Sequence, residues 1–73
     1  MPTAADLKAR IEAAIPGSTA EVESLDDVHF SARVVSDAFA GISRVAQHRM
    51  VYEVFDGELG GSIHALSLKT EAP

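Results

Sequence analysis

A strand–helix–strand pattern fills the second half of this 73-residue sequence and leaves few folds open to it. Apolar and polar side chains alternate over residues 29–36 and again over residues 63–70, which is typical of strands with one wet face. Residues 43–59 lie between them and carry an apolar stripe at helical spacing. We expect a right-handed crossover, which makes the last strand parallel to the strand before the helix.

A capped helix and another strand precede this unit. Thr3 and Asp6 have the spacing of a capping box, and Pro16-Gly17 ends the helix that they begin. Residues 20–25 also alternate, and a short turn separates them from the next strand, so the two strands are most simply an antiparallel hairpin. The sequence therefore predicts one α+β domain over residues 1–73, in the order αββαβ, with helices on one face of a three-stranded mixed sheet.

The composition limits the classes of function. Six Lys and Arg residues against eleven Asp and Glu residues give a net charge of −5, which argues against a general nucleic-acid binder. The absence of cysteine excludes disulfides and thiolate ligands from this chain. No apolar run approaches the roughly 20 residues of a membrane span, and no basic region leads into an apolar run as in a signal peptide. We therefore expect a soluble cytoplasmic protein with no membrane partner.

Two histidines begin the strands that we expect to be parallel. His29 opens the second strand and His64 lies near the start of the third, so both imidazoles reach the same sheet edge, on strands about 4.8 Å apart. Strand parity turns His64 toward the helices and His29 toward the open face. A metal normally takes four ligands, so this pair would need ligands from a partner. The alternatives are a backbone-bonded His64 and a solvated loop histidine at position 29.

The other polar candidates predict no catalysis. His48 shares a helix face with Tyr52, and a surface contact explains that spacing as well as acid–base chemistry does. We find no nucleophile, no placed pair of carboxylates and no phosphate-binding glycine loop, so we expect no enzyme and assign no catalytic residue. Arg33, Arg44 and Arg49 are either ordinary solvated charges or a contact surface for nucleic acid or an acidic partner.

Several short segments together resemble one protein family. They have the order and spacing typical of BolA-like proteins, over residues 5–70: His29-Phe30, Val34-Val35-Ser36, Phe39, Gly41, the run Gln47-His48-Arg49-Met50-Val51-Tyr52, and Ile63-His64-Ala65-Leu66. The resemblance implies an αββαβ domain related to the class II KH fold. This agrees with the element order predicted from the alternation and the helical stripes.

The resemblance also implies a partner and a cofactor. BolA-like proteins associate with monothiol glutaredoxins and can share a 2Fe-2S cluster with glutaredoxin and glutathione, whose sulfur atoms supply the other ligands. The family's C-terminal histidine ligand corresponds to His64. Its second ligand is a His or Cys from the loop between the first two strands, for which His29 is the candidate here. The implied role is cluster trafficking or iron and redox sensing, by a chain that is monomeric alone and heterodimeric when it binds the cluster.

Two alternatives follow from the same resemblance. Members of the family have been described as DNA-binding transcriptional regulators of stress response and cell morphology, and KH-like domains bind nucleic acid through a Gly-x-x-Gly loop. The corresponding turn here, Gly41-Ile42-Ser43-Arg44, has one of the two glycines. In this alternative Arg44 and Arg49 would contact DNA. The second alternative is regulation of the glutaredoxin by protein contact, with no cluster ligation.

Overall fold

The computed structural model describes residues 2–73 and contains the predicted order of helices and strands. The elements are α1 (Ala4–Ala14), β1 (Thr19–Glu23), β2 (His29–Val35), α2 (Arg44–Val54) and β3 (Ala65–Glu71), with a 3-10 turn at Asp37–Phe39. The sheet order is β1-β2-β3; β1 is antiparallel to β2, and β3 is parallel to it. The predicted α+β class and mixed sheet are confirmed, while the relation to class II KH folds stays a prediction.

The first helix begins with the predicted capping box. The Thr3 hydroxyl accepts a hydrogen bond from the backbone N–H of Asp6 at 3.2 Å, and the Asp6 carboxylate accepts one from the backbone N–H of Thr3 at 2.9 Å. These two contacts hold the pKa of the Asp6 carboxyl below its usual value. Two of the N–H groups that a helix leaves unpaired at its start are thereby satisfied.

The core lies between one face of the sheet and the two helices. Phe30, Ala32 and Val34 alternate along β2 and are all buried. They lie in one hydrophobic cluster with the buried side chains Leu7 and Ile11 of α1 and Val51 of α2, together with Phe55, which follows α2. The opposite face of the sheet is exposed, as predicted, and carries Glu21, Glu23, Ser31, Arg33, Ser67 and Lys69.

The second helix is shorter than predicted. The helical stripe suggested a helix over residues 43–59, but α2 ends at Val54 and tighter turns follow, with Glu58 N–H donating to the carbonyl of Phe55 at 2.9 Å. Gly57 has a φ of 84°, a left-handed backbone that glycine adopts without strain and that a helix cannot contain. Ser43 caps the start of the helix, and its hydroxyl accepts from the backbone N–H of Ala46 at 3.1 Å.

The last strand begins and ends later than predicted. Strand β3 runs from Ala65 to Glu71 rather than over residues 63–70. Ile63 precedes it, fully buried, and is tied into a turn by its N–H bond to the Glu58 carbonyl at 3.0 Å and its bridge to Leu59. This turn returns the chain to the edge of the sheet where β3 starts.

A buried serine joins the end of β2 to the end of α1. Ser36 is 1% exposed; its hydroxyl donates to the carbonyl of Pro16 at 2.8 Å and accepts from the N–H of Ala38 at 3.1 Å. It thereby caps the 3-10 turn that follows β2. Among residues 2–73, no helix has both the length and the apolar character needed to cross a bilayer.

Removing the Ser36 hydroxyl should destabilise the fold. We expect Ser36→Ala to lower the free energy of unfolding by about 1–3 kcal/mol, because a carbonyl and an N–H lose their partner. The matched control is Ser67→Ala on the exposed face, which should change stability by less than about 0.5 kcal/mol. Urea denaturation of both variants measures the difference, and equal losses would contradict this role for Ser36.

Candidate functional site

The parallel pairing of β2 and β3 brings two histidines to one edge of the sheet. His29 is the first residue of β2 and lies opposite Ala65, the first residue of β3, so His64 is next to it. The backbone N–H groups of His64 and Ala65 both donate to the carbonyl of Val28, at 2.9 and 3.1 Å. The imidazole centroids are 5.0 Å apart, with ring planes at 71°. The predicted approach of the two imidazoles is confirmed.

His64 is more exposed than its strand parity suggested. Strand parity placed its side chain toward the helices, yet His64 is exposed. The reason is that His64 precedes the first residue of β3 and does not continue the strand's alternation, whereas Leu66, two residues later, is 7% exposed. Both imidazoles are therefore accessible from outside, with 59% of the His29 side chain exposed.

A short loop holds His29 in place. Asp26 accepts hydrogen bonds through Oδ1 from the backbone N–H groups of Val28, at 3.1 Å, and His29, at 2.8 Å. Its Oδ2 lies 2.6 Å from Nδ1 of the His29 ring. These contacts hold the pKa of the Asp26 carboxyl well below its usual range, and the hydrogen bond from the His29 backbone N–H has the largest effect. The carboxylate is therefore charged at neutral pH and fixes both the backbone and the ring of His29.

Ser24 closes the same loop from its other end. The Ser24 hydroxyl donates to the carbonyl of His29 at 2.7 Å and accepts from the N–H of Asp27 at 2.9 Å. Asp27 has a φ of 59°, in the left-handed region where Asp and Asn are among the better tolerated residues. The predicted turn is thus a compact loop ordered by two side chains. With the loop in this conformation the His29 and His64 imidazoles already lie close together.

The distance between the two imidazoles is compatible with half of a metal site. For metal–nitrogen bonds of about 2.1 Å and a tetrahedral angle, two rings on one metal have centroids roughly 5 Å apart, and the observed separation is 5.0 Å. Among residues 2–73 no group of three or more His, Cys, Asp or Glu side chains is arranged to hold a metal ion. The remaining ligands would have to come from another molecule, as the sequence predicted. The ligand role of His29 and His64 itself stays a prediction.

His48 lies elsewhere, beside Tyr52 on α2. Their ring centroids are 6.4 Å apart with the planes at 89°, which confirms the predicted shared face. The Tyr52 hydroxyl donates to the carbonyl of Leu66 at 3.2 Å and so ties α2 to β3. The Nε2 atom of His48 is buried and has no hydrogen-bond partner among the described residues. This pair joins structural elements and makes no contact with His29 or His64 within hydrogen-bonding range.

The three arginines do not form one basic surface. Arg33 forms ion pairs with Glu71 and, at 3.7 Å, with Glu21, so its charge is neutralised on the open face of the sheet. Arg44 and Arg49 are exposed on α2 and form no ion pair with any residue in the range 2–73. The prediction that Arg33 could join a basic spot is therefore wrong, while Arg44 and Arg49 keep their free charges.

Asp26 is the residue beside the histidine pair that the sequence analysis did not single out. The sequence identified it only as part of a turn before His29. The available signal was its type and spacing, since an Asp side chain commonly accepts from backbone N–H groups two or three residues later in a loop. That rule predicts the bonds to Val28 and His29. The contact with the imidazole depends on the side-chain conformations that the sheet edge imposes.

Comparison with known proteins gives one family and one fold. Residues 11–73 match the family model described as BolA-like protein. The structure of a bolA protein homologue from Coxiella burnetii has a TM-score of 0.86 and 38% identity, covering 100% of this chain and 94% of that chain. The BolA domain of SufE1 from Arabidopsis thaliana has a TM-score of 0.83 and 32% identity, covering 96% of this chain and 91% of that chain.

A curated relative carries a functional description in its name. The DNA-binding transcriptional regulator BolA of Vibrio cholerae is 48% identical over 42 residues, which cover 58% of this chain and 40% of that protein. The chain spans less than two thirds of the length of the first curated relatives that it matches, from 13% to 59%. The matches therefore cover only part of those proteins.

The contact between the two imidazoles can be tested in the free protein. We expect His64→Ala to shift the ring resonances of His29 in NMR spectra, because an aromatic ring is removed from a centroid distance of 5.0 Å. His48→Ala is the control, since His48 lies against Tyr52, and it should leave the His29 ring signals in place. Equal effects of the two substitutions on His29 would contradict the observed arrangement.

Proposed function

This chain belongs to the BolA-like protein family, and from that membership and the paired imidazoles of His29 and His64 we propose that it is a non-enzymatic partner of a monothiol glutaredoxin. In this proposal the chain supplies histidine ligands to a 2Fe-2S cluster that it shares with the glutaredoxin and glutathione. Its role is to pass on such a cluster or to sense iron and redox state. The proposed complex is a heterodimer, formed when the cluster is bound.

The observation that carries this proposal is an exposed and incomplete ligand set. Two imidazoles lie 5.0 Å apart at a sheet edge, and no third ligand from residues 2–73 joins them. A chain that held its own metal would enclose it with three or four ligands. Two exposed ligands suit a metal centre that a second protein completes.

The missing ligands must have a chemistry that this chain lacks. Fe–S clusters are held mostly by thiolates, and the sequence contains no cysteine. The partner and its glutathione would therefore supply sulfur, and His29 and His64 would supply nitrogen. Replacing thiolates by imidazoles on one iron raises the reduction potential of a 2Fe-2S cluster, as in Rieske centres. Such a change of potential suits a cluster that is transferred or sensed.

The surroundings of the pair favour a protein partner. Leu25 is fully exposed in the loop that precedes His29, and that loop and His29 line one side of a cleft next to β1. An exposed leucine in the loop that leads to His29 offers apolar contact to a protein that brings the remaining ligands. Apolar contact of this kind is common at the centre of protein interfaces.

Reconstitution of the shared cluster tests the ligand assignment. The chain is mixed with a monothiol glutaredoxin, glutathione, iron and sulfide, and the visible absorption and circular dichroism are recorded. We expect a spectrum distinct from that of the glutaredoxin homodimer. His64→Ala and His29→Ala should each alter this spectrum. Each should also shorten the lifetime of the cluster by at least roughly 10-fold, because removal of a group that only supports a metal ligand already weakens metal binding by about that factor.

His48→Ala is the matched control, because it removes an imidazole outside the pair. It should leave the spectrum and the cluster lifetime unchanged. If both His29→Ala and His64→Ala behave like the control, the ligand assignment is wrong. If the two proteins associate while the homodimer spectrum persists, regulation by protein contact replaces cluster sharing.

Binding of DNA is the second candidate function. The free charges of Arg44 and Arg49 on the exposed side of α2 favour it, as does the name of the related Vibrio cholerae protein. Arg44 and Lys69 line a common groove, which places a further cation near the start of the helix. The net charge of −5 weighs against strong binding, because phosphate contacts supply most of the affinity for DNA.

A salt titration separates this candidate from the first. If DNA is bound, affinity should fall steeply with salt, and Arg44→Ala or Arg49→Ala should each reduce the slope of log affinity against log salt by about 1, whatever the DNA sequence. Arg33→Ala is the control, because that guanidinium is already paired with carboxylates. Absence of binding to duplex DNA at low salt removes the candidate.

A further inference from the structure

The two histidines of the pair are held in different ways. Nδ1 of His29 lies 2.6 Å from the Asp26 carboxylate, whereas the ring of His64 has no hydrogen-bond partner among the described residues and is anchored only through its backbone N–H. The ring of His29 is therefore oriented before any partner arrives. The ring of His64 is free to adjust.

The contact with Asp26 decides which nitrogen of His29 carries the proton. An ionised carboxylate can only accept hydrogen bonds, so the nitrogen that faces it, Nδ1, must be the donor. In a neutral imidazole one nitrogen is a donor and the other has a free lone pair. Nε2 of His29 is then the atom with the free pair, and it has no partner among residues 2–73.

The Asp26 carboxylate is itself rigid. Its Oδ1 accepts from two backbone N–H groups of the loop, which leaves Oδ2 aimed at the ring. The neighbouring Asp27 makes a different contact. Within residues 2–73 its hydrogen bond is the one that its backbone N–H donates to the Ser24 hydroxyl, and its carboxylate has none. The loop thus carries two carboxylates of equal charge, and one of them contacts the imidazole.

We propose that Asp26 is a positioning residue that holds His29 in the Nδ1–H tautomer and so presents Nε2 as the ligand atom. This inference rests on the proposed function, because the ligand atom matters only if His29 binds the cluster. Metal-binding histidines commonly donate their other ring N–H to a carboxylate, which fixes the ring and strengthens it as a ligand. Asp26 and His29 form that arrangement within this chain.

Asp26→Asn tests the inference with little change to the loop. The amide oxygen of Asn can still accept from the backbone N–H groups of Val28 and His29. The amide nitrogen would then face Nδ1 of the ring as a donor, so Nδ1 must accept and the proton must move to Nε2. The variant therefore blocks the proposed ligand atom while it keeps the loop bonds.

The first measurement uses the free chain and needs no cluster. Nitrogen chemical shifts of the His29 ring at about pH 8, where an ordinary imidazole is neutral, distinguish the two tautomers. We expect the Nδ1–H form in the natural chain and the Nε2–H form in Asp26→Asn. Asp27→Asn is the matched control, with the same loss of charge one residue away, and should keep the Nδ1–H form.

The second measurement is the lifetime of the shared cluster in the presence of an iron chelator. We expect Asp26→Asn to shorten it by roughly 10–100-fold, the usual effect of removing a supporting carboxylate, and Asp27→Asn to leave it unchanged. Asp26→Glu keeps an acceptor-only carboxylate and should restore both the Nδ1–H tautomer and most of the lifetime. That variant keeps the test decisive if Asp26→Asn fails to give a native amide spectrum.

Each other outcome overturns the inference in a distinguishable way. If Asp26→Asn keeps the Nδ1–H tautomer, Asp26 does not select the ligand atom. If the tautomer changes but the cluster lifetime matches that of Asp27→Asn, the positioning role is wrong while ligation by His29 and His64 stands. If the natural chain forms no shared cluster, the proposed function fails, and the positioning role fails with it.

Discussion

The hydrogen-bonded parallel pairing of β2 with β3 is the interaction on which the rest of the structure depends. It sets His29 opposite Ala65, and the Val28 carbonyl accepts from both His64 and Ala65 at the point where the ladder begins. Parallel strands need a long crossover, and α2 with its turns is that crossover. Because α2 must lie over the sheet to connect the strands, its apolar side closes the core that β2 and β3 begin.

Polar contacts join this crossover to the elements around it. The Gln47 amide donates to the carbonyls of Phe39 and Ile42, at 3.1 and 3.2 Å, and accepts from the Thr70 hydroxyl at 2.7 Å. Arg10 of α1 pairs with Glu58 in the turn after α2 and lies 4.8 Å from the Phe55 ring. The Gln47 contact lies near the end of β3, at Thr70, and the Arg10 contact lies in the turns that lead to His64.

The two candidate functions use different parts of the surface. The histidine pair lies where β2 and β3 begin, next to the Asp26 loop, whereas Arg44 and Arg49 lie on α2. Substitutions in one region leave the contacts of the other intact. Cluster reconstitution and the DNA salt titration therefore report separate activities. The acidic balance of the chain weighs against phosphate binding. Ligation by imidazole does not require a positive surface. The acidic composition is therefore more compatible with histidine ligation than with DNA binding.

Local chemistry alone determined the order of elements, the Thr3 and Ser43 caps, the buried face of β2 and the pairing of distant histidines at one edge. Alternation, helical spacing and side-chain caps act over a few residues, and the crossover rule supplies the parallel pairing. Tertiary structure decided where α2 stops, that His64 is exposed, and that Asp26 contacts the His29 ring. The end of α2 is set by the turn at Gly57, which a helical stripe does not reveal. The other two features are side-chain directions where β2 and β3 begin, and residue spacing does not specify them.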